Sequence, residues 1–199
     1  PKGLRYHLKK KDSEISHSVT DVFDGDILDV VFSSTHEMYG DGWVSNNSPT
    51  NIIDDHDKYF RLSADVPCGY IPVNGATVTF VDNETGVSTT ESLNVTNSVN
   101  GFEFRSVNPI YYLKTSNKSS FDITYNVSFE YDCSVTDCNS DDYDFNLVSK
   151  LEYQNCPSAI AALACESFQV YPHCSFLGGG SGDCTNPIIS IKSFEFNRS

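Results

Sequence analysis

The sequence lacks the features that mark membrane-spanning chains and nucleic-acid-binding proteins. No apolar run approaches the roughly eighteen residues of a transmembrane helix, and neither a signal peptide nor an initiator Met is present. Cations are scarce, because 13 Lys and Arg stand against 27 Asp and Glu and the net charge is −14. Nucleic acids are bound by clustered Lys and Arg, so this balance argues against a nucleic-acid partner. We expect an extracellular chain, a mature or trimmed ectodomain with no membrane span in these 199 residues.

Local catalytic motifs are also missing. His36-Glu37 begins like the helix of a zinc hydrolase, but Gly40 stands where the second His would be. The glycine-rich loop 178–183 lacks the Lys-Ser/Thr ending of a phosphate-binding loop, and Ser181 is not in a Gly-x-Ser-x-Gly frame. The sequence therefore predicts no catalytic residue. A secreted hydrolase is the third functional hypothesis, because a triad built from distant residues leaves no local motif.

The most clearly patterned stretch is 121–131, in which apolar and polar residues alternate without interruption. Successive side chains of a strand point to opposite faces, so this alternation predicts a half-buried β-strand. At about 3.3 Å per residue it would span roughly 35 Å, the size of a small domain, which favours a central position. The residues expected to face the core are Phe121, Ile123, Tyr125, Val127, Phe129 and Tyr131.

Other segments favour strands and turns, with one exception. The strongest hairpin pattern joins 76–81 to 87–95 through a turn at 82–86. The exception is 157–168, which is Ala-rich, begins with Pro and places several apolar residues at helical spacing. We expect a mainly β fold: an antiparallel β-sandwich with one short α-helix near 157–168 and a disulfide-rich C-terminal third.

Positive charge is concentrated at the start of the chain. Five cations precede the first acid at Asp12, namely Lys2, Arg5, Lys9, Lys10 and Lys11. Residues 1–18 are interpreted as a basic N-terminal arm and 19–199 as a single β-sandwich domain, with a possible cysteine-rich subregion at 133–184. A basic arm on an acidic body is suited to docking within one molecule or between neighbouring copies.

Seven cysteines indicate an oxidising compartment. No Cys-x-x-Cys pair is present, which argues against a zinc ribbon or finger. The short loop Cys133–Cys138 is the one pairing that the spacing favours. Cys68 is remote from the others, so we expect it to be unpaired or intermolecular. The residues predicted to form disulfides are Cys133, Cys138, Cys156, Cys165, Cys174 and Cys184.

N-glycosylation sequons are twice as frequent as chance predicts, which favours a secreted glycoprotein carrying N-linked glycans. Asn126 lies on the polar face of the predicted strand 121–131, where a glycan could be accommodated. The six sequon residues are Asn46, Asn83, Asn94, Asn117, Asn126 and Asn197.

Two binding sites for small ligands are candidates. Ca²⁺ prefers several oxygen ligands from one loop, and the turn holding Asp24, Asp26 and Asp29 is the preferred location among the acidic turns. The loop near the single Trp pairs aromatic faces with polar groups, as sugar binding requires. Its candidate carbohydrate-binding residues are Tyr39, Asp41, Trp43 and Asn47.

The favoured function is that of an extracellular surface glycoprotein domain acting by protein contact rather than catalysis. Adhesion, receptor engagement and assembly of an extracellular polymer are the forms considered, with a protein partner or self-assembly in each case. The alternative is a calcium-dependent carbohydrate-binding module. No cofactor is expected to be required, with Ca²⁺ as the candidate ion.

Overall fold

The computed structural model describes residues 6–40, 58–110, 118–135, 142–153 and 156–174. This part of the chain forms twelve β-strands and contains no helix. The strands in chain order are β1 (Tyr6–His17), β2 (Asp21–Phe23), β3 (Ile27–Gly40), β4 (Lys58–Asp65), β5 (Tyr70–Pro72), β6 (Thr77–Asp82), β7 (Ser88–Ser98), β8 (Gly101–Ser106), β9 (Lys118–Tyr131), β10 (Asp144–Tyr153), β11 (Cys156–Gln169) and β12 (Tyr171–His173).

The strands form two facing layers that share one strand. The first layer runs β1-β3-β9-β6, with β5 also paired to β9, and the second runs β8-β4-β10-β11. Strand β7 belongs to both, because residues 88–92 pair with β6 and residues 93–98 pair with β8. All these pairings are antiparallel, and the separate contact between β2 and β12 is parallel. The predicted antiparallel β-sandwich and the β6–β7 hairpin are confirmed.

The core lies between the two layers and is rich in aromatic rings. The six apolar residues of β9 are between 0% and 9% exposed, so the predicted core face of this strand is confirmed. Phe129 meets Phe104 and Phe145 from the opposite layer at ring-centroid distances of 6.1 and 5.9 Å. Burying a Phe side chain contributes about 1.5–3 kcal/mol, which makes this contact a main source of cohesion between the layers.

The predicted helix at 157–168 is wrong, because these residues lie in β11, of which 160–162 and 164–168 pair with β10. The cause is a β-bulge: Ser149 pairs with Ala164 and Lys150 with Ala162, which leaves Leu163 as the extra residue. Both Leu163 and Ala164 are therefore buried, and the two-residue alternation is broken. A bulged strand of this kind has apolar residues at helical spacing in its sequence, which is why a helix was predicted. In the folded protein these residues form a strand because they pair with the edge of β10.

The described part of the basic N-terminal segment is a strand of the sheet. Tyr6–His17 forms β1, which pairs with β3 along its length. On its other side β1 approaches β11, where His17 stacks on Phe168 at 4.5 Å and the Ser13 hydroxyl donates to the Glu166 carboxylate. These contacts close the side of the sandwich.

The structure changes the predicted disulfide pattern. Cys133 is bonded to Cys174, so the predicted pair Cys133–Cys138 is wrong. Cys68, predicted to be unpaired or intermolecular, is disulfide-bonded, and Cys165, predicted to be bonded, is free and exposed. Sequence spacing misled here because β10, β11 and β12 return the chain to the end of β9, which brings Cα133 within 5.7 Å of Cα174.

Candidate functional site

A groove of about 660 Å³ opens at the end of the sandwich where β4, β5, β8 and β10 meet. Its walls are the β4–β5 connection (65–71), the β7–β8 turn (99–102) and the start of β10 (142–146), and Val135 also lines it. We call this feature the acidic groove. A second groove of about 410 Å³ adjoins it, since Ile71 and Phe102 line both.

Gly69 allows the β4–β5 connection to form one wall of the acidic groove. Its φ of +97° lies in the left-handed region, and a Cβ added there would come within 2.8 Å of Tyr131 Cε1. The Gly69 carbonyl accepts a hydrogen bond from the Asp132 amide at 2.8 Å. This position therefore requires glycine, both for the turn and for the close approach to the end of β9.

Gly101 allows the β7–β8 turn to form another wall of the groove. A Cβ at this residue would lie 2.1 Å from the Ala64 carbonyl oxygen and 3.0 Å from the Val66 amide nitrogen. The Val66 amide donates to the Asn100 carbonyl at 3.1 Å. The two backbone segments are thus held in direct contact, and the shape of the groove is set by backbone packing rather than by flexible side chains.

The charge of the groove is negative. Asp65, Asp142 and Asp144 line it, and no Lys, Arg or His is among the described residues that do so. Asp144 Oδ1 accepts from Gln169 Nε2 at 2.6 Å, and Asp142 Oδ1 accepts from the Asp144 amide at 3.2 Å. Neither contact supplies a counter-charge. The concave, low-dielectric wall therefore concentrates negative potential that would attract a cationic ligand.

Apolar side chains accompany the carboxylates. Val99 is 98% exposed at the tip of the β7–β8 turn, Ile71 is 49% exposed and Val135 is 40% exposed. Clustered exposed aliphatic residues mark interaction surfaces more often than isolated ones do. A ligand that fits this groove therefore carries positive charge and covers apolar surface, and the methylene stems of Lys side chains can do the latter.

Tyr70 contributes a buried polar group that has no partner among the described residues. Its side chain lines the groove and is 3% exposed, and its ring packs on Tyr131 and Phe145 at 4.7 and 4.8 Å. Its hydroxyl makes no hydrogen bond within the described part of the chain. Burial raises the pKa of Tyr70, with a further contribution from Tyr131, so the hydroxyl keeps its proton and can donate. Buried hydroxyls are nearly always hydrogen-bonded, so this one, which is not accessible from the groove, is an exception within the described part of the chain.

Comparison with known proteins gives weak structural matches. No protein-family model matches the sequence, and no curated protein does. Solved structures similar to this chain include the collagen-binding subdomain of the Enterococcus faecalis surface protein ACE, with 10% identity, 80% of this chain and 95% of that chain covered, and a TM-score of 0.36. The group B streptococcus pilus 2b backbone protein gives 11% identity, coverages of 79% and 56%, and a TM-score of 0.37.

A third match is AvmM, which catalyses macrocyclization in alchivemycin A biosynthesis, with 8% identity, coverages of 83% and 91%, and a TM-score of 0.34. Adhesin, pilus and enzyme domains thus occur together at similar, low scores. These likenesses do not indicate a function for this chain.

The three aspartates of the candidate calcium site have separate structural contacts. Asp24 Oδ1 accepts from the Cys133 amide at 2.9 Å, and Asp26 Oδ2 accepts from the Phe23 amide at 2.8 Å. Asp29 Oδ1 accepts from the Ser128 hydroxyl at 2.5 Å. Among the described residues, no three His, Cys, Asp or Glu side chains are grouped to hold a metal ion. Calcium binding by this protein stays a prediction.

The candidate carbohydrate site lies largely outside the described residues. Tyr39 belongs to β3 by its backbone, and Asp41, Trp43 and Asn47 are not among the residues that the structure describes. Sugar binding at this loop stays a prediction.

Three of the six sequons can be located. Asn83 lies in the β6–β7 turn, Asn94 on β7 and Asn126 on β9, and all three are exposed. Asn94 also lines the second groove. Asn46, Asn117 and Asn197 lie outside the described residues, as do Cys138 and Cys184. The exposed positions are compatible with N-linked glycans, whose presence stays a prediction.

One His–carboxylate contact bears on the hydrolase hypothesis. His173 Nε2 lies 2.8 Å from Asp21 Oδ1, and the His173 ring stacks on Phe23 at 5.2 Å. Catalysis by such a pair requires a nucleophile on the other ring nitrogen, and no described hydroxyl or thiol makes that hydrogen bond. In the described structure this contact joins β2 to β12.

The described part of the chain also has no helix long and apolar enough to cross a membrane.

Sequence reasoning did not predict the acidic groove. Asp142 and Asp144 were visible as an acidic turn, but Asp65 and Tyr70 are about 75 residues away in the chain and carry no motif. The one local signal is the sequence Val-Pro-Cys-Gly at 66–69, whose Pro and Gly indicate a sharp connection after a strand. That signal predicts a turn and says nothing of a cleft.

Proposed function

We propose that this protein is an extracellular domain that acts by binding a positively charged segment of a protein partner in the acidic groove. The observation that carries the proposal is the combination of three carboxylates and exposed aliphatic side chains in one concave site. Lysine or arginine side chains would meet the carboxylates, and the apolar part of the segment would cover Val99 and Ile71.

The disulfides support an extracellular location. Cys133 is bonded to Cys174, and Cys68 is also disulfide-bonded. Disulfides form and persist in oxidising compartments and are rare in the cytosol, which is consistent with a secreted or surface protein. The exposed sequon residues Asn83, Asn94 and Asn126 are compatible with the same location.

The test is the binding of a fluorescent peptide of alternating Lys and Val residues, measured by anisotropy. We expect binding that weakens at least tenfold in the Asp65→Asn/Asp142→Asn variant and that also weakens with added salt, because exposed charges are screened. A peptide with Glu in place of Lys should not bind.

The matched control is Glu14→Gln/Glu84→Gln, which removes the same number of charges outside the groove. We expect this control to bind the Lys-Val peptide like the wild type. Equal affinity in all three proteins, or no binding by the wild type, would contradict the proposed function.

A further inference from the structure

We infer that the segment bound by the acidic groove belongs to a second copy of this chain, so that molecules associate head to tail. This inference rests on the proposed function and adds the identity of the partner. The relevant surface is the basic patch, which we define as Lys9, Lys10 and Lys11 on β1. All three lysines are exposed.

Among the described residues of its own molecule, the basic patch is only partly neutralised. Lys11 Nζ lies 3.7 Å from Glu37 Oε1, and Lys10 Nζ donates to the Ser13 hydroxyl at 3.4 Å. The register of β1 against β3 shifts between Lys10 and Asp12, so Lys11 is the extra residue of a β-bulge. A bulge twists an edge strand away from regular pairing, which leaves this stretch of β1 to present charge rather than extend a sheet.

The patch and the groove lie at opposite ends of the first layer, and β9 shows this directly. At one end Phe121 pairs with His36, and His36 pairs with Lys10. At the other end Tyr131 pairs with Tyr70, which lines the acidic groove. Ten residues of strand separate the two ends, about 33 Å. The patch of one molecule therefore cannot enter the groove of the same molecule.

A contact between two different surfaces on opposite ends of a molecule repeats in one direction. Each added copy leaves one free patch and one free groove, so such heterologous contacts give open chains unless the rotation closes a ring. The net charge of −14 favours the head-to-tail orientation, in which the basic patch of one copy meets the acidic groove of the next. In other orientations two acidic surfaces would face and repel each other.

The experiment is sedimentation velocity of the full chain in a Cys165→Ala background, which removes the exposed free thiol as a source of cross-linking. We expect concentration-dependent association of the wild type that weakens at least tenfold when NaCl is raised from about 0.05 to 0.5 M. The patch variant Lys9→Glu/Lys10→Glu and the groove variant Asp65→Asn/Asp142→Asn should each be monomeric. Glu14→Gln/Glu84→Gln should associate like the wild type.

Mixing the two variants gives the decisive result. The patch variant retains a working groove and the groove variant retains a working patch, so an equimolar mixture should form dimers and nothing larger. Thermal unfolding of each variant checks that it is folded. A mixture that stays monomeric while the wild type associates would overturn the inference, because association would then use other surfaces.

The outcome also separates this inference from the proposed function. A monomeric wild type that still binds the Lys-Val peptide would overturn self-association alone. A wild type that binds neither the peptide nor itself would overturn both.

Discussion

Arg105 and Glu152 form a two-point ion pair on the outer face of the β8-β4-β10 layer. Arg105 Nη2 lies 2.9 Å from Glu152 Oε1, and Arg105 Nε donates to Glu152 Oε2 at 3.2 Å. Arg61 Nη1 donates to the same Oε2 at 3.1 Å, and the Arg105 guanidinium lies 3.6 Å from the centre of the Tyr59 ring. Glu152 is 4% exposed, so this carboxylate is held in place by two cations rather than by water.

We expect Glu152→Gln to lower the free energy of unfolding by about 2 kcal/mol at neutral pH, the usual contribution of hydrogen bonds to a charged group. The Arg105 hydrogen bonds hold the pKa of Glu152 below its usual value. The stabilisation is therefore fully present above the pKa that Glu152 has in the unfolded chain. It is lost as the pH falls through the lower pKa that Glu152 has in the folded protein. Urea titrations at a series of pH values should show that the free energy of unfolding falls more at acidic pH in the wild type than in Glu152→Gln.

The control for this prediction is Glu130→Gln, which removes an exposed carboxylate of β9. It should change the free energy of unfolding by less than about 0.5 kcal/mol. Parallel stability curves for the wild type and Glu152→Gln would contradict the role of the ion pair.

His36 should produce a separate pH dependence at higher pH. Burial lowers its pKa from 6.5 to about 4, opposed by Asp122 and assisted by Lys10, and its Nε2 lies 2.8 Å from the Ser34 hydroxyl. Because the unfolded chain takes up this proton first, stability is present above pH 6.5 and falls as the pH approaches 4. We expect a loss on the order of 3 kcal/mol across that window, and a flatter curve for His36→Gln. Equal slopes would show that His36 does not control this loss.

The Cys133–Cys174 bond should be a major source of stability. Its loop encloses β10 and β11 with a sequence separation of 41 residues, for which loop-closure entropy gives about 4 kcal/mol. We expect Cys133→Ala/Cys174→Ala to unfold at a correspondingly lower urea concentration. Cys165→Ala, at an exposed free cysteine, is the control and should behave like the wild type. Unchanged stability of the double variant would contradict the prediction.

Two tyrosines should respond in opposite directions to the loss of a hydroxyl. Tyr125 donates to the Arg61 carbonyl at 2.9 Å, so Tyr125→Phe should lower the free energy of unfolding by about 1 kcal/mol. The Tyr70 hydroxyl is buried without a partner in the described structure, so Tyr70→Phe should raise it by about 1 kcal/mol. Urea unfolding of both variants gives the comparison. Destabilisation by Tyr70→Phe would show that its hydroxyl has a partner in the free protein.

The strands that the sequence predicted best are those in which one face is buried throughout. The alternation in 121–131 predicted the core face of β9, because every second residue of an unbroken half-buried strand has to be apolar. The same rule failed for β11, where the bulge at Leu163 places adjacent residues in the core. The helix propensity of the Ala-rich residues 157–168 then favoured a helix. In the folded protein the edge of β10 pairs with these residues as a strand.

The candidate site depended on contacts that no short stretch of sequence encodes. Asp65, Val99 and Asp142 meet because three connections between strands end at the same end of the sandwich. The disulfide partner of Cys133 was hidden for the same reason, since β10, β11 and β12 lie between Cys133 and Cys174 in the chain.

The amino-acid sequence by itself determined the all-β class in outline, the central strand with its buried side and the excess of acid over base, since each follows from local alternation or from counting. The tertiary structure decided which cysteines join, that β11 is extended, and where carboxylates and valines line one groove. Those outcomes depend on which distant segments become neighbours, and neighbourhood across the sandwich is set by the packing of whole strands rather than by any single segment.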